Sequence, residues 1–274
     1  MRKIIIIVCL LFIFIGSVNA ASIENFSKNE YEKLSKFVSD SEIELLSKRT
    51  LDNILDSDIL SFDVAVVVTT YKTSSISLPK IVSQNIMSVD DYNNSVESRA
   101  TTCTEFSTQL EECTTEYKAM VLMIGNNGST LRLHITNEWI KMPKYKSFDV
   151  IALKWSGNYS VVSYQGNQYT NGNSGDIYYA QGNGNYKTGV NAIGLSQNLV
   201  DSATEIMNEL VVFVTGSGTI NLNATYQHSQ ANITLATSKL YNFSSNGYGG
   251  VLSFYGNAAG IYDNTPGMNL VYTP

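Results

Sequence analysis

Three patterns of apolar and polar positions succeed one another along the chain. Ile4 to Ile15 are apolar without interruption, directly after Arg2 and Lys3. Between Ser27 and Leu55 apolar residues recur at helical spacing, first Tyr31, Leu34, Phe37 and Val38, then Leu46, Leu51, Ile54 and Leu55. Ser27 stands before the first run, and "SDSE", with Ser39 and Glu42, has the form of a capping box before the second. Two amphipathic helices packed on a domain are therefore expected within residues 21–60, with a pro-region or cell-wall-proximal stalk as the alternative. From "SFDVAVVVTTYKT" at 61 the period becomes that of strands, and Val64 to Val68 suits a buried one.

The sharpest strand signal is "KAMVLMIGNNGSTLRLHI" at 118–135. Asn127-Gly128 fits a type I′ turn, which needs positive φ at both central positions. That turn would pair Ile124 with Leu131, Leu122 with Leu133 and Met120 with Ile135 on one apolar face. Val121 and His134 would then be opposite each other on the other face. "KMPKYKSFDVIALKWSGNYSVVSYQ" carries a proline-marked turn and two further strands, and in its "FDVIALKW" Phe148, Val150 and Ala152 alternate with Ile151, Leu153 and Trp155. Apolar residues on both sides mark a central strand between two layers. Further strands are expected near 176–180, 189–195, 206–215, 218–227, 231–237 and 250–255, separated by "GNGN", "GSG", "SSNGYGG" and "NTPG". The expected fold is mainly β: an antiparallel β-sandwich or jelly-roll-like domain over 61–274, with a possible sub-boundary near 115, preceded by a short helical segment.

The first pattern changes what the cysteines mean. A basic start, a dozen or so apolar residues and small residues at Val18 and Ala20 describe a secretory signal peptide over 1–20, cleaved between Ala20 and Ala21. No later apolar run is long enough for a membrane helix, so the mature chain is expected to be soluble and secreted, extracellular or periplasmic. With Cys9 removed, Cys103 and Cys113 remain, in a compartment that favours a disulfide. Ten residues of straight helix span about 15 Å, whereas a bridge holds two Cα atoms within about 7 Å. Either the segment "TTCTEFSTQLEECTTEY" folds back on itself, or it is a helix with two free thiols.

Acidic residues outnumber basic ones by 24 to 18, with the excess before residue 119, and no basic stripe suggests nucleic acid as a partner. "VDDYNNSVE", at 89–97, alternates acidic and polar residues but lacks the central glycine and distal glutamate of a calcium loop, so a solvated loop is expected. The two histidines, His134 and His228, have no zinc-site spacing and no nucleophile elbow near them. No cofactor or metal is implied. Glu138, Asp149, Asp176, Asp201, Glu205, Glu209 and Asp263 are the carboxylates from which a glycosidase pair would have to come.

"MPKYKSFDVIALKWSGN", "LSQNLVDSATEI" and "NATYQHS" resemble a group of exported bacterial proteins of unknown function, over roughly 118–274. The resemblance implies export and no particular chemistry. The nearly uncharged "SYQGNQYTNGNSGDIYYAQGNGNYKTG", at 163–189, carries Tyr164, Tyr169, Tyr178, Tyr179 and Tyr186. Aromatic faces among amide side chains suit neutral sugars, and the same composition suits ordinary sandwich loops. The leading expectation is an exported, non-catalytic interaction or binding protein, with an extracellular glycan or cell-surface component as partner. The alternatives are a membrane-active β-protein using "GSGTINLNATYQHSQANITLAT" as an amphipathic hairpin, and a glycoside hydrolase.

Overall fold

The computed structural model describes residues 21–74, 77–95, 111–171, 175–248 and 250–274. The chain begins with α1 (Lys28–Leu34), α2 (Asp40–Leu45) and α3 (Lys48–Leu55). Ser27 with Glu30 and Ser39 with Glu42 each close a reciprocal capping box, as the second was expected to do. The second predicted helix is two, because Ser47 leaves helical geometry and caps α3 by accepting from the Thr50 N–H.

The strands are β1 (Asp58–Ser74), β2 (Ser77–Met87), β3 (Glu111–Asn127), β4 (Thr130–Lys141), β5 (Phe148–Thr170), β6 (Ile177–Tyr179), β7 (Tyr186–Gly189), β8 (Ala192–Asn198), β9 (Ile206–Gln227), β10 (Tyr241–Tyr248), β11 (Leu252–Phe254) and β12 (Met268–Tyr272). The main sheet is antiparallel in the order β2-β1-β3-β4-β9-β5-β8-β7, with β12 on β9 and β6 on β5. β3 runs unbroken through residue 115, paired with β1.

Long strands that bend between layers make the sandwich. β5 and β9, each expected as two strands, are continuous. The first half of β5 pairs with the second half of β9 and with β8, and its second half pairs with the first half of β9 and with β6. The bend lies where "SGN" at 156–158 meets "GSG" at 216–218, with a register shift between Ser156 and Asn158. Gly157 sits at φ 102°, and a Cβ there would meet the Thr219 carbonyl oxygen at 2.6 Å. These glycines mark a bulge inside strands, not the turns they resemble.

Among the described residues, three apolar clusters fill the spaces between layers. The largest joins Val67, Met120, Leu122, Ile124, Leu133 and Ile135 to Ile151, Leu153, Leu195, Leu222 and Leu270. A second packs Leu34, Ile43, Leu46, Leu51 and Ile54 of the helices onto Val64, Val66, Val121 and Met123, the other face of β1 and β3. A third covers Val150 and Ala152 with Tyr241, Leu252, Phe254 and Tyr262. β5 is thus apolar on both faces because both are covered.

The β3–β4 hairpin has the predicted inner face but another register. Ile124 pairs with Leu133, Leu122 with Ile135, Met123 with His134 and Val121 with Thr136. The turn is Gly128-Ser129, with positive φ at Gly128 alone, the first-position glycine of a type II′ turn. A shift of two residues preserves side-chain parity, so His134 still faces away from Leu122 and Leu133.

Two further expectations are corrected. Residues 89–94, read as loop, form the short helix α4 (Val89–Asn94), because Ser88 accepts from the Asp91 N–H and Asp90 and Asp91 favour the first turn. Residues 231–237 form no strand. Thr234 instead captures the Thr237 N–H and starts α5 (Leu235–Ser238). The segment at 216–237 therefore lacks the second arm of the predicted amphipathic hairpin, and its first arm is held between β5 and β12. Residues 1–20 and Cys103 lie outside the described residues. Cys113 is on β3, opposite Lys72.

Candidate functional site

A concavity opens where α3 begins above the sheet. It measures ≈270 Å³ and is lined by Ser47, Lys48 and Arg49 at the helix start, Glu138 on β4, Tyr169 to Asn171 at the end of β5, and Glu205 to Met207 at the start of β9. Strand ends and a helix start converge there because β5 and β9 finish and begin side by side, with Tyr169 opposite Met207.

Each wall has distinct chemistry. The Arg49 guanidinium lies over the Tyr169 ring, 4.0 Å from its centroid, and pairs with Asp176 at 3.3 Å. Burial raises the Tyr169 phenol to about 12, so it is a hydrogen-bond donor at neutral pH. Asn171 Oδ1 accepts from the Thr204 and Glu205 N–H groups, which holds the mouth of the cleft in shape. The Glu205 carboxylate makes no hydrogen bond among the described residues.

Glu138 has a different task. It is buried; Oε2 accepts from the Ser47 N–H at 3.0 Å, and Oε1 accepts from the Ser47 and Thr50 hydroxyls. These are donors at the start of α3, so Glu138 pins the helix layer to the sheet. Burial pushes its carboxyl pKa up against the pull of those donors. With both oxygens occupied, Glu138 is not placed to act on a ligand as Glu205 is.

A second polar assembly is closed off inside the sandwich. Alternation along β3 puts Glu116 and Lys118 on the same face as Met120 and Leu122, and both are buried. Lys118 Nζ meets Asp263 Oδ2 at 2.5 Å, each side chain 2% exposed. Thr265 Oγ1 accepts from Lys118 Nζ at 2.7 Å and donates to the same Asp263 oxygen at 2.8 Å. The His228 backbone N–H donates to Asp263 Oδ1 at 2.9 Å. The His228 ring contacts Asp149 through Nδ1 at 2.9 Å, while Nε2 lies 3.7 Å from Glu116 Oε2. Tyr226 donates to Asp149 at 2.5 Å, and Lys118 lies 5.1 Å from the Tyr226 ring centre and 5.5 Å from that of Trp139. Burial alone would depress the His228 imidazole, but the Asp149 and Glu116 carboxylates outweigh it and hold its pKa above the ordinary value.

His134, on the helix side of the sheet, is also buried; its ring lies 3.1 Å from Thr136 Oγ1 and 3.7 Å from Glu209. Burial lowers its pKa. Of the other carboxylates considered for a glycosidase pair, Asp149, Glu209 and Asp263 are buried, and Asp201 is exposed away from the cleft.

The five tyrosines of 163–189 do not share one surface. Tyr179 and Tyr186 are buried, with the Tyr186 hydroxyl donating to the Tyr179 carbonyl at 2.7 Å. Tyr164 packs edge-on against Tyr186 at 4.8 Å between centroids. Tyr178 is 60% exposed. Tyr169 alone of the five lines the cleft. Its contribution is visible in sequence as a tyrosine, but Arg49 and Glu205 are brought to it by tertiary packing. The inward-facing Glu116 and Lys118 carry a local signal, since they continue the alternation of Met120, Leu122 and Ile124.

No family model matches the chain, and no curated protein matches it. Among solved structures it is similar to one named BspA_C_mut, at 8% identity and a TM-score of 0.24, over 60% of this chain and 79% of that one.

Proposed function

We propose that this chain is an exported, non-catalytic binding protein that holds an extracellular glycan or other cell-surface component in the cleft at the start of α3. The observation that carries the reading is the pairing of Arg49 with Tyr169 beside an uncommitted Glu205. An aromatic ring covered on one face by a guanidinium, with a carboxylate in the same cleft, offers apolar surface, donors and acceptors, as a hydroxyl-rich ligand requires. Occupation of both Glu138 oxygens supports binding over acid–base catalysis. A glycan and cell-wall array on the mature protein should give specific retention. Tyr169→Ala and Arg49→Ala should each weaken it at least about tenfold, equivalent to roughly 1.4 kcal/mol, whereas exposed Tyr178→Ala should leave it unchanged. An array without specific retention, or full binding by Tyr169→Ala, contradicts the assignment.

Export is part of the same proposal. Ala21 is buried, and its N–H donates to the Leu46 carbonyl at 3.2 Å, so the helix layer is engaged from that residue onward. Among the described residues no helix is long and apolar enough to cross a membrane. Protein recovered outside the producing cell should begin at Ala21 and contain no free thiol, with Cys103 bridged to Cys113. Edman sequencing and thiol counting on denatured, unreduced protein test both statements.

A further inference from the structure

We propose that Lys118 and Asp263 become joined by an intramolecular amide bond, formed by the folded chain itself. The contact has the parts such a condensation requires. Nζ lies 2.5 Å from Asp263 Oδ2, and both side chains are sealed from solvent at 2% exposure. The aromatic rings of Trp139 and Tyr226 flank the ammonium. Thr265 Oγ1 bridges the nucleophile and the departing oxygen, at 2.7 Å from Nζ and 2.8 Å from Oδ2. The other carboxylate oxygen, Oδ1, receives the His228 backbone N–H at 2.9 Å, where negative charge develops during attack.

Gln227 holds the relay in place. Its side-chain amide donates to the Thr265 carbonyl at 2.8 Å, and its Oε1 accepts the Thr265 N–H at 3.0 Å. A positioned hydroxyl, a fixed oxyanion donor and a nucleophile at contact distance supply proximity and orientation without a bound partner. An ordinary buried ion pair needs none of this bridging arrangement. Removing both charges as a neutral amide also ends the desolvation penalty that such a pair carries.

The steps balance within the pair. One proton passes from the Lys118 ammonium to Asp263 Oδ2, leaving an amine and a carboxylic acid. The Nζ lone pair then forms a bond to Cγ, and the C=O π electrons move onto Oδ1 against the His228 N–H. A second Nζ proton travels through Thr265 to Oδ2 as the Oδ1 electrons re-form the carbonyl. The Cγ–Oδ2 bond breaks with its electron pair on oxygen, which departs as water. One ammonium and one carboxylate become one amide and one water, with no oxidant, reductant or cofactor.

The product would tie β3 to the segment leading into β12, across 145 positions of sequence. β12 lies against β1 and β3 without pairing to them, so the bond would close the sandwich covalently at that end.

Mass spectrometry of the wild-type full chain decides the matter. After allowance for N-terminal processing and any disulfide, the intact protein should be one water lighter than its sequence. A tryptic digest should contain a branched species joining the Lys118 and Asp263 peptides, with no cleavage after Lys118. Lys118→Arg and Asp263→Ala should each abolish the branched species, and Thr265→Val should slow its appearance after refolding at least about tenfold, as loss of a positioned proton relay does. Separate linear peptides with cleavage after Lys118 in wild-type protein overturn the proposal, whether or not the variants fold.

Discussion

At the scale of single residues, the cost of a buried polar group depends on what its removal leaves behind. Glu138 accepts from one backbone N–H and two hydroxyls at the start of α3. Glu138→Ala deletes the acceptor and strands those donors against the sheet. The expected loss is about 2–4 kcal/mol in chemical denaturation, because an unmet buried donor costs more than a hydrogen bond contributes on average. Glu138→Gln keeps an oxygen for the helix and removes a charge that burial disfavours, so it should lose about 1 kcal/mol. Equal losses for the two variants would show that side-chain volume, not hydrogen bonding, is what Glu138 supplies. In the sequence Glu138 was visible only as one carboxylate among several. The capping partner of α3 is reached through a contact spanning 91 positions, for which no local signal exists.

At the scale of elements, glycine proves ambiguous between a turn and a bend. Local pattern identified β1, β4, the two faces of β5 and the capping box of Ser39 and Glu42, since each is set by periodicity or by a neighbour three residues away. It divided β5 and β9, because "SGN" and "GSG" look like turns when each is read alone. Only their mutual approach makes them a bend: a Cβ on Gly216 would meet the Asn158 carbonyl oxygen at 2.0 Å. Gly157→Ala combines a φ of 102° with a close contact to Thr219. It should destabilise by about 2–3 kcal/mol. Gly184→Ala, where a Cβ meets nothing within 4 Å, should stay within about 0.5 kcal/mol. Thermal or urea unfolding of the two variants side by side checks the bend, and indistinguishable variants would remove the argument for it. The cleft draws on the same two strands, whose antiparallel pairing sets Tyr169 at the end of β5 opposite Met207 at the start of β9. Tyr169 could be named as a ligand-binding candidate from sequence, while Glu205 was one carboxylate among seven and Arg49 was not singled out.

For the molecule as a whole, buried ionisable groups couple stability to pH in a direction that can be worked out. Burial raises the carboxyl pKa of Glu116 and Glu138, and neighbouring carboxylates raise that of His228 despite burial. Each raised group contributes stability that is complete below its unfolded pKa and is lost as pH rises through its folded one. For the glutamates the loss begins above the ordinary carboxylate value, and for His228 above about 6.5. His134 works the other way. Its lowered pKa contributes stability that is present above about 6.5 and lost as pH falls toward the folded value. Above that point His134 has nothing further to add, and the tyrosine shifts, upward from an ordinary value of 10, act only at higher pH. Between pH 6.5 and 9 these groups therefore push the same way, and stability should decline as pH rises. Each linked proton adds at most about 1.4 kcal/mol per pH unit to the slope, or a few degrees in midpoint for a chain of this size. An amide between Lys118 and Asp263 would leave Asp149 and Glu116 facing His228, so the sign survives the cross-link. Calorimetric melts at constant ionic strength should show the midpoint falling across this window, and His228→Gln should flatten the fall even if it lowers every midpoint. A midpoint that climbs from pH 6.5 to 9 would mean that His228 is held neutral, with its two carboxylates too weakly coupled to overcome burial.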